Sequence, residues 1–150
     1  MKLQISSRLA ILALLELAAH PDRQYSVADI GRKYKVSNHH LAKVMLVMVR
    51  AGLVRSIRGA GGGYQFSGNA RRTTLLDIIE LFEDLGAAND NAGAEEMTRE
   101  GRALCEVLDE IDDIARATLG SFTIETMLKL IERRQRGETA VRNRPRRGAP

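Results

Sequence analysis

The sequence is poor in cysteine and in aromatic residues. Its 150 residues include one cysteine, no tryptophan, three tyrosines and three phenylalanines. A single thiol excludes a disulfide within the chain and is typical of a reducing compartment. The scarcity of aromatic rings argues against the base-stacking platforms of RNA and single-strand binders, so any nucleic-acid partner is expected to be duplex DNA.

Long apolar runs and recognisable catalytic sets are also missing. The most apolar segment, residues 9–19, is too short to cross a bilayer and contains Glu16, so it predicts a buried helix. The length fits one globular domain, or a small domain with a helical arm. We expect a soluble, cytoplasmic protein with no membrane partner. No Ser-His-Asp set, paired carboxylates or zinc-spaced ligands stand out, so an enzyme is not predicted.

The net charge of +4 conceals a division along the chain. Residues 1–72 carry 12 basic and 3 acidic side chains (net +9), residues 73–132 carry 4 and 15 (net −11), and residues 133–150 carry 7 and 1 (net +6). A basic first half suits contact with phosphate, and an acidic second segment suits a separate oligomerising or sensing arm. The alternative is a basic surface that only aids solubility.

The most informative stretch runs from Ser37 to Tyr64. Apolar residues recur at helical spacing after Ser37, a good N-cap, and Gly52 is placed to end that helix. Residues 53–57 then predict a strand, a basic glycine-rich tip follows, and the extended pattern resumes at residues 64–66. Helix, strand, tip and strand form the layout of a winged helix, so we predict a mainly α fold with a small β-wing.

The polar start of this helix and the arginines of the wing are candidates for contact with DNA. Such a helix can enter the major groove, and a wing arginine can reach phosphates or a narrow minor groove. A β-hairpin with a loose turn is the alternative that glycine alone would explain, whereas the glycine spacing does not fit a nucleotide-binding loop. The candidate DNA-binding residues are Ser37, Asn38, His39, His40, Lys43, Arg55, Arg58 and Gly59.

Two further helices precede this one. Ser6 or Ser7 can cap the first, whose apolar surface is wide enough to require cover on two sides. Ser26 can cap the second, with Asp29 completing a capping box, and residues 35–36 form the turn of a helix-turn-helix.

After the wing, the pattern predicts a helix from about Leu75 to Leu85 and a long helix from Thr98 to about Leu119. The long helix carries an apolar stripe that so small a domain cannot cover alone, so pairing with a second copy is predicted, with an intramolecular bundle as the alternative. The predicted domains are a winged helix-turn-helix domain (1–85), a flexible loop (86–97), a long dimerisation helix with a C-terminal packing helix (98–134) and a disordered basic tail (135–150).

These motifs resemble those of a known family. The strings ISSRLAILALLELA, VSNHHLAKV and AGLVRSIRGAGGGYQF are similar to the Rrf-type bacterial winged-helix transcription regulators, typified by IscR, NsrR and CymR, and the likeness extends over residues 1–132. The resemblance implies that the wing arginine, Arg58, enters the minor groove. It also implies that bases are read by polar residues at the start of the recognition helix, which are Ser37, His39, His40 and Lys43.

Members of that family often hold an iron–sulfur cluster on three cysteines before the long helix, and this chain departs from that pattern. Counted back without gaps from Phe122, the three cysteine positions fall near Asp90, Glu96 and Arg102, and Cys105 falls near an additional ligand. One shifted gap would instead make Cys105 the third cysteine. Such clusters depend on thiolates, so no cofactor is predicted, and a cluster with unusual ligands is the alternative.

Cys105 is instead the candidate for a thiol switch. Its place in the first turns of a helix favours the thiolate, whereas neighbouring carboxylates oppose it. The alternative is a small buried apolar residue between Leu104 and Leu108. His39 and His40 point about 100° apart on a helix, so they are not expected to share a metal ion.

The leading hypothesis is a homodimeric, sequence-specific DNA-binding transcription regulator, expected to act as a repressor and to respond to redox state through Cys105. The alternatives are an iron–sulfur-sensing regulator with unusual ligands and a winged-helix module that binds protein partners without reading DNA. Replacement of Lys43 and Arg58 separates the classes, because only a DNA reader loses salt-dependent binding.

Overall fold

The structure is a computed structural model that describes residues 2–85 and 98–142. The described ranges contain the helices and strands α1 Ile5–Ala19, α2 Val27–Tyr34, α3 Asn38–Arg50, β1 Val54–Ile57, β2 Gly63–Phe66, α4 Leu75–Ile79, α5 Arg99–Ser121 and α6 Ile124–Arg142. Strands β1 and β2 pair antiparallel, with Val54 opposite Phe66. The mainly helical fold with a small β-wing confirms the prediction. The predicted loop, 86–97, and residues 143–150 of the predicted tail lie outside the described residues.

Helix α1 lies at the centre of the core. It packs against α3, α4, α6 and β2, and Ala10, Ala13, Leu14 and Leu17 are fully buried. The helix is apolar on nearly every side because it is covered on nearly every side. Helix α6, whose Ile124 is also fully buried, supplies part of this cover.

Local capping signals set the ends of the helices around the turn. The Ser26 hydroxyl accepts a hydrogen bond from the Asp29 N–H at 3.1 Å, and the Asp29 carboxylate accepts one from the Ser26 N–H at 3.1 Å, which confirms the capping box. Gly52 has a φ of 73°, and the Leu53 N–H donates to Met48 O at 3.0 Å. This left-handed glycine ends α3 as predicted and directs the chain into the wing.

Two helix boundaries differ from the prediction. Helix α1 begins at Ile5 with Gln4 at the N-cap, so neither Ser6 nor Ser7 caps it. Helix α4 ends at Ile79, not Leu85. The reason is a tertiary contact: the Glu83 carboxylate accepts a hydrogen bond from the Gln4 N–H at 3.2 Å and another from the buried Ser7 hydroxyl. The chain leaves the α4 axis to place Glu83 at the N-terminus of α1, where a negative charge is favoured.

Helix α6 extends into the first part of the segment that was predicted as a tail, residues 135–142. Helix α6 continues past the predicted end at Arg134 to Arg142. A basic composition does not by itself break a helix, and residues 133–142 contain no proline. The pair between Glu132 and Arg136, 3.7 Å apart and one turn apart on α6, supports the extension.

Helix α5 packs mainly against α4. Thr98 caps it as predicted, with its hydroxyl accepting from the Gly101 N–H at 2.9 Å. Arg116 and Glu80 form an ion pair at 2.6 Å between α5 and α4. No residue of α5 is buried, and five large apolar side chains are 42–60% exposed: Leu104, Val107, Leu108, Ile111 and Ile114. In the described part of the chain, no helix has the length and apolar character that crossing a membrane requires.

Candidate DNA interface

Helix α3 presents one polar, cationic face along its whole length. The opposite side is anchored in the core by Leu41, Val44, Met45 and Met48, which are buried. The exposed face has a repeat of three or four residues, as one side of a helix must. Its members are His39, Lys43, Leu46 and Arg50. All four side chains are exposed in the single chain.

Ser37 and Asn38 stand at the N-terminal end of that face. Both are exposed. Ser37 occupies the predicted N-cap position, but its side chain makes no capping hydrogen bond. Its hydroxyl therefore points to no partner on α3 and is placed at the end of the helix that a base or phosphate would approach.

Helix α2 approaches the turn and the start of α3 closely at Gly31, a residue that the sequence analysis did not identify. A Cβ at this position would overlap Asn38 Oδ1 and lie 3.2 Å from Val36 O. Lys35 completes the turn with a φ of 54°, a conformation that non-glycine residues seldom adopt. A glycine in the middle of an eight-residue helix costs helix propensity, and that cost was the available signal for close packing.

The wing carries one arginine at its tip and one along its strand. Arg58 is exposed beside Gly59, whose φ is 110°. Arg55 is also exposed, but its Nη2 donates to Gln65 Oε1 at 2.9 Å, and the Gln65 amide donates in turn to Pro21 O at 2.6 Å. Arg55 is thus fixed to the body of the wing, whereas Arg58 projects from its end.

The wing is attached to the start of α2 by a short backbone bridge that the sequence did not reveal. The Tyr25 N–H donates to Tyr64 O at 3.0 Å, and the Tyr64 N–H donates to Tyr25 O at 2.8 Å. A Cβ at Gly63 would lie 2.6 Å from Tyr25 O, so only glycine permits this approach. The bridge fixes the wing relative to the helix-turn-helix.

His40 differs from the other candidates on α3. It is half-buried, and its Nε2 lies 3.2 Å from Ser6 Oγ in a hydrogen bond. The side chain therefore links the recognition helix to the N-terminus of α1. The remaining predicted residues fall into two groups, the exposed start of α3 and the wing, while Cys105 lies apart from both on α5.

This arrangement of helix-turn-helix, wing and long helix has known counterparts. The Rrf2 family model, described as an iron-dependent transcriptional regulator, matches residues 3–130. The chain belongs to the Rrf2 family. The resemblance noted in the sequence is therefore confirmed, and the chain is a helix-turn-helix transcription regulator of a DNA-binding, non-enzymatic family.

Individual Rrf2 relatives cover most of the chain. It is 52% identical over 136 residues to BadM of Rhodopseudomonas palustris, named as an HTH-type transcriptional regulator, with 91% of this chain and 86% of that protein aligned. The structure of T. potens IscR superposes with a TM-score of 0.74 at 26% identity, covering 90% of this chain and 91% of that one. That of CymR from B. subtilis, the global cysteine regulator, gives 0.73 at 28% identity and covers 87% and 98%.

The family description mentions iron, but the donor set of this chain does not fit a cysteine-ligated cluster. Such clusters are held by several thiolates, and the chain supplies only Cys105, which is half-buried. Of the counted cysteine positions, Arg102 lies on α5 and is cationic, while Asp90 and Glu96 lie outside the described residues. Across 2–85 and 98–142, no three histidine, cysteine or carboxylate side chains group closely enough to hold a metal ion.

Proposed function

We propose that the chain is a homodimeric, sequence-specific DNA-binding repressor that places α3 in the major groove and Arg58 against phosphates or a narrow minor groove. The observation that carries the proposal is the exposed face of α3, anchored from behind by a fully buried apolar side, next to an exposed arginine at the wing tip. Both lie in the half of the chain whose net charge is +9.

The side chains on α3 suit different parts of the groove. Lys43 can donate to guanine acceptors, and Asn38 and His39 can donate or accept at base edges. Leu46 is 49% exposed in the middle of an otherwise polar face. An apolar side chain at this place is suited to the methyl group of thymine, so we add Leu46 and Arg50 to the candidate interface.

The proposal of a homodimer is supported by the apolar stripe of α5. Its five large side chains are exposed to solvent in the single chain. A contiguous exposed apolar surface is typical of a protein–protein interface. A second α5 packed on it with two-fold symmetry would place two recognition helices on successive half-sites of a palindrome.

Specific binding is tested with duplexes selected from a random pool by the purified full chain. We expect Arg58→Ala and Lys43→Ala each to weaken binding about tenfold or more, because one base or phosphate contact is worth about 1–3 kcal/mol. A lost phosphate contact should also reduce the salt slope by about one. Arg133→Ala, an exposed arginine on α6, is the matched control and should bind as the unaltered chain does.

The same experiment separates this proposal from a module that binds only protein. If Arg58→Ala, Lys43→Ala and Arg133→Ala all bind the selected duplex with the affinity of the unaltered chain, α3 and the wing are not the DNA interface. If the pool yields no enriched duplex at all, sequence-specific binding is refuted.

A regulatory role for Cys105 completes the proposal. The thiol is half-buried on α5 near the start of the apolar stripe, so its oxidation would act at the surface through which we expect the two chains to pair. DNA affinity of the unaltered chain and of Cys105→Ser, each with and without hydrogen peroxide, is the test. Identical affinity in all four states removes the switch. Iron and sulfide contents of anaerobically purified protein test the prediction that no cluster is held.

A further inference from the structure

A cavity of about 490 Å³ lies between α1, α2 and α6. This volume falls in the range of small-molecule sites. Its apolar walls come from Leu15 and Ala19 on α1 and from Leu128 and Ile131 on α6. None of the eight candidate DNA-binding residues lines it, so the cavity is distinct from the proposed DNA interface.

The polar part of the cavity lining includes a cluster of Glu16, Lys33 and Tyr34. The Lys33 ammonium donates a hydrogen bond to Glu16 Oε2, and the Tyr34 hydroxyl lies 3.5 Å from the same oxygen. The ammonium also lies 5.5 Å from the centroid of the Tyr34 ring, in cation–π range. The hydrogen bond that Lys33 donates to the Glu16 carboxylate raises the pKa of Lys33, so this residue is cationic at neutral pH.

The two charges of this pair differ in exposure, and the difference decides which ligand can enter. The Glu16 side chain is 12% exposed, whereas that of Lys33 is 54% exposed. A ligand anion that captured Lys33 would leave Glu16 buried without a cation, which is strongly unfavourable. A ligand cation that captured Glu16 would instead release Lys33 into water, where its charge is easily solvated. Replacement of one partner of the Glu16–Lys33 pair by a ligand is therefore more favourable for a cationic ligand than for an anionic one.

We propose that this cavity binds a small amphipathic amine, whose ammonium group replaces that of Lys33 at Glu16 and whose apolar body lies against Leu128 and Ile131. The ring of Tyr34 then faces the ligand ammonium as it now faces the lysine. Glu132 also lines the cavity, and its carboxylate is paired with Arg136 at 3.7 Å.

Binding at this site is placed to act on the helix-turn-helix. Lys33 lies in the last turn of α2, two residues before Lys35 in the left-handed turn that leads to α3. The pair with Glu16 ties this end of α2 to α1, so an amine that replaces Lys33 releases the tie. We expect an altered affinity for DNA. This consequence rests on the proposed DNA-binding function, whereas binding of the amine itself does not.

Calorimetry on the full chain without DNA tests the site directly. The probes are 3-phenylpropylamine, 3-phenylpropan-1-ol and 3-phenylpropanoate, which share one apolar body and differ in the charge of the head group. We expect saturable binding of the amine, with the alcohol and the carboxylate at least about tenfold weaker, since a hydrogen bond to a charged group is worth about a factor of ten or more.

Two variants give opposite expected results, which a merely structural role would not produce. Lys33→Ala removes the competing ammonium and should tighten amine binding severalfold, while Glu16→Gln should weaken it about tenfold or more. Lys35→Ala and Glu110→Gln, exposed residues that do not line the cavity, are the matched controls and should leave amine binding unchanged. Circular dichroism checks that each variant is folded.

The proposal is overturned if the amine binds neither the unaltered chain nor Lys33→Ala, or if the carboxylate binds as tightly as the amine. If Glu16→Gln does not fold, Lys33→Ala and the comparison of head groups decide the question alone. Titration of the amine into the complex with a selected duplex tests the coupling separately. An amine that binds without changing DNA affinity refutes the coupling and leaves the site in place.

Discussion

The first 79 residues and helix α5 use their apolar side chains in opposite ways. In the first region, α1, α3 and α4 direct theirs inward, and every member of the buried core except Ile124 comes from this region. In α5, five large apolar side chains point into water within the single chain. The first region is stabilised by its own contacts, whereas the apolar surface of α5 is left exposed by the residues that the structure describes.

The two regions also differ in charge. The basic segment, residues 1–72, has a net charge of +9, and residues 73–132 have a net charge of −11. The acidic side chains of residues 73–132 repel phosphate, whereas the basic side chains of residues 1–72 attract it. One region is therefore suited to reading DNA and the other to joining two chains.

The largest expected effect comes from a charge placed in the stripe. Ile111→Glu buries an unpaired carboxylate in the proposed interface. The burial costs several kcal/mol of association free energy, so the dimer dissociation constant should rise on the order of 100-fold or more. Sedimentation velocity over a range of concentrations measures it. Ala117→Glu adds the same charge at an exposed position outside the stripe and is the control.

This change also tests whether the two regions are separable. The Ile111→Glu variant should keep its helical signal, because no residue of α5 belongs to the buried core, while its DNA affinity falls with the loss of the second half-site. A chain that sediments as a monomer before any substitution would contradict the proposed division of labour.

The next prediction compares the same substitution, leucine to alanine, in the two regions. Leu14 is fully buried and Leu104 is 59% exposed. Leu14→Ala should lower the free energy of unfolding by about 2–5 kcal/mol at any protein concentration, because it leaves a cavity. Leu104→Ala should change it by less than about 0.5 kcal/mol where the protein is monomeric. Urea denaturation at several concentrations measures both, and equal losses would show that α5 is part of the same core.

Much of this contrast could be predicted from the sequence because its signals are local. Ser26 with Asp29, Thr98 and Gly52 each act on neighbouring backbone groups, so the starts of α2 and α5 and the end of α3 were predicted correctly. The buried side of α3 follows from its periodicity in the same way.

The features that the sequence did not reveal depend on residues far apart in the chain. Helix α4 ends early because Glu83 reaches the start of α1, 79 residues away from Gln4. The bridge of Tyr25 to the wing, the close packing at Gly31 and the link from His40 to α1 are likewise set by tertiary contacts. Such contacts override local propensity, and no periodic pattern encodes them.

The smallest expected effect lies where the first region meets helix α6. Glu125, at the start of α6, accepts a hydrogen bond from Lys129 Nζ at 2.9 Å and another from Arg71 Nε at 3.1 Å. Arg71 belongs to the link between the wing and α4, so this carboxylate connects the first region to the C-terminal arm. The hydrogen bond from Lys129, followed by that from Arg71, lowers the pKa of Glu125 from its ordinary value of 4.5.

A lowered pKa in the folded state means that the Glu125 carboxylate stabilises the fold above its ordinary pKa of 4.5 and ceases to do so as the pH falls through the lowered value. Glu125→Gln should therefore reduce the urea midpoint slightly at pH 7, because the pairs are exposed and screened by solvent, and the difference from the unaltered chain should vanish in strong acid. If the Glu125→Gln difference persists in acid, the side chain acts through packing, and the first region and α6 are not joined there by charge.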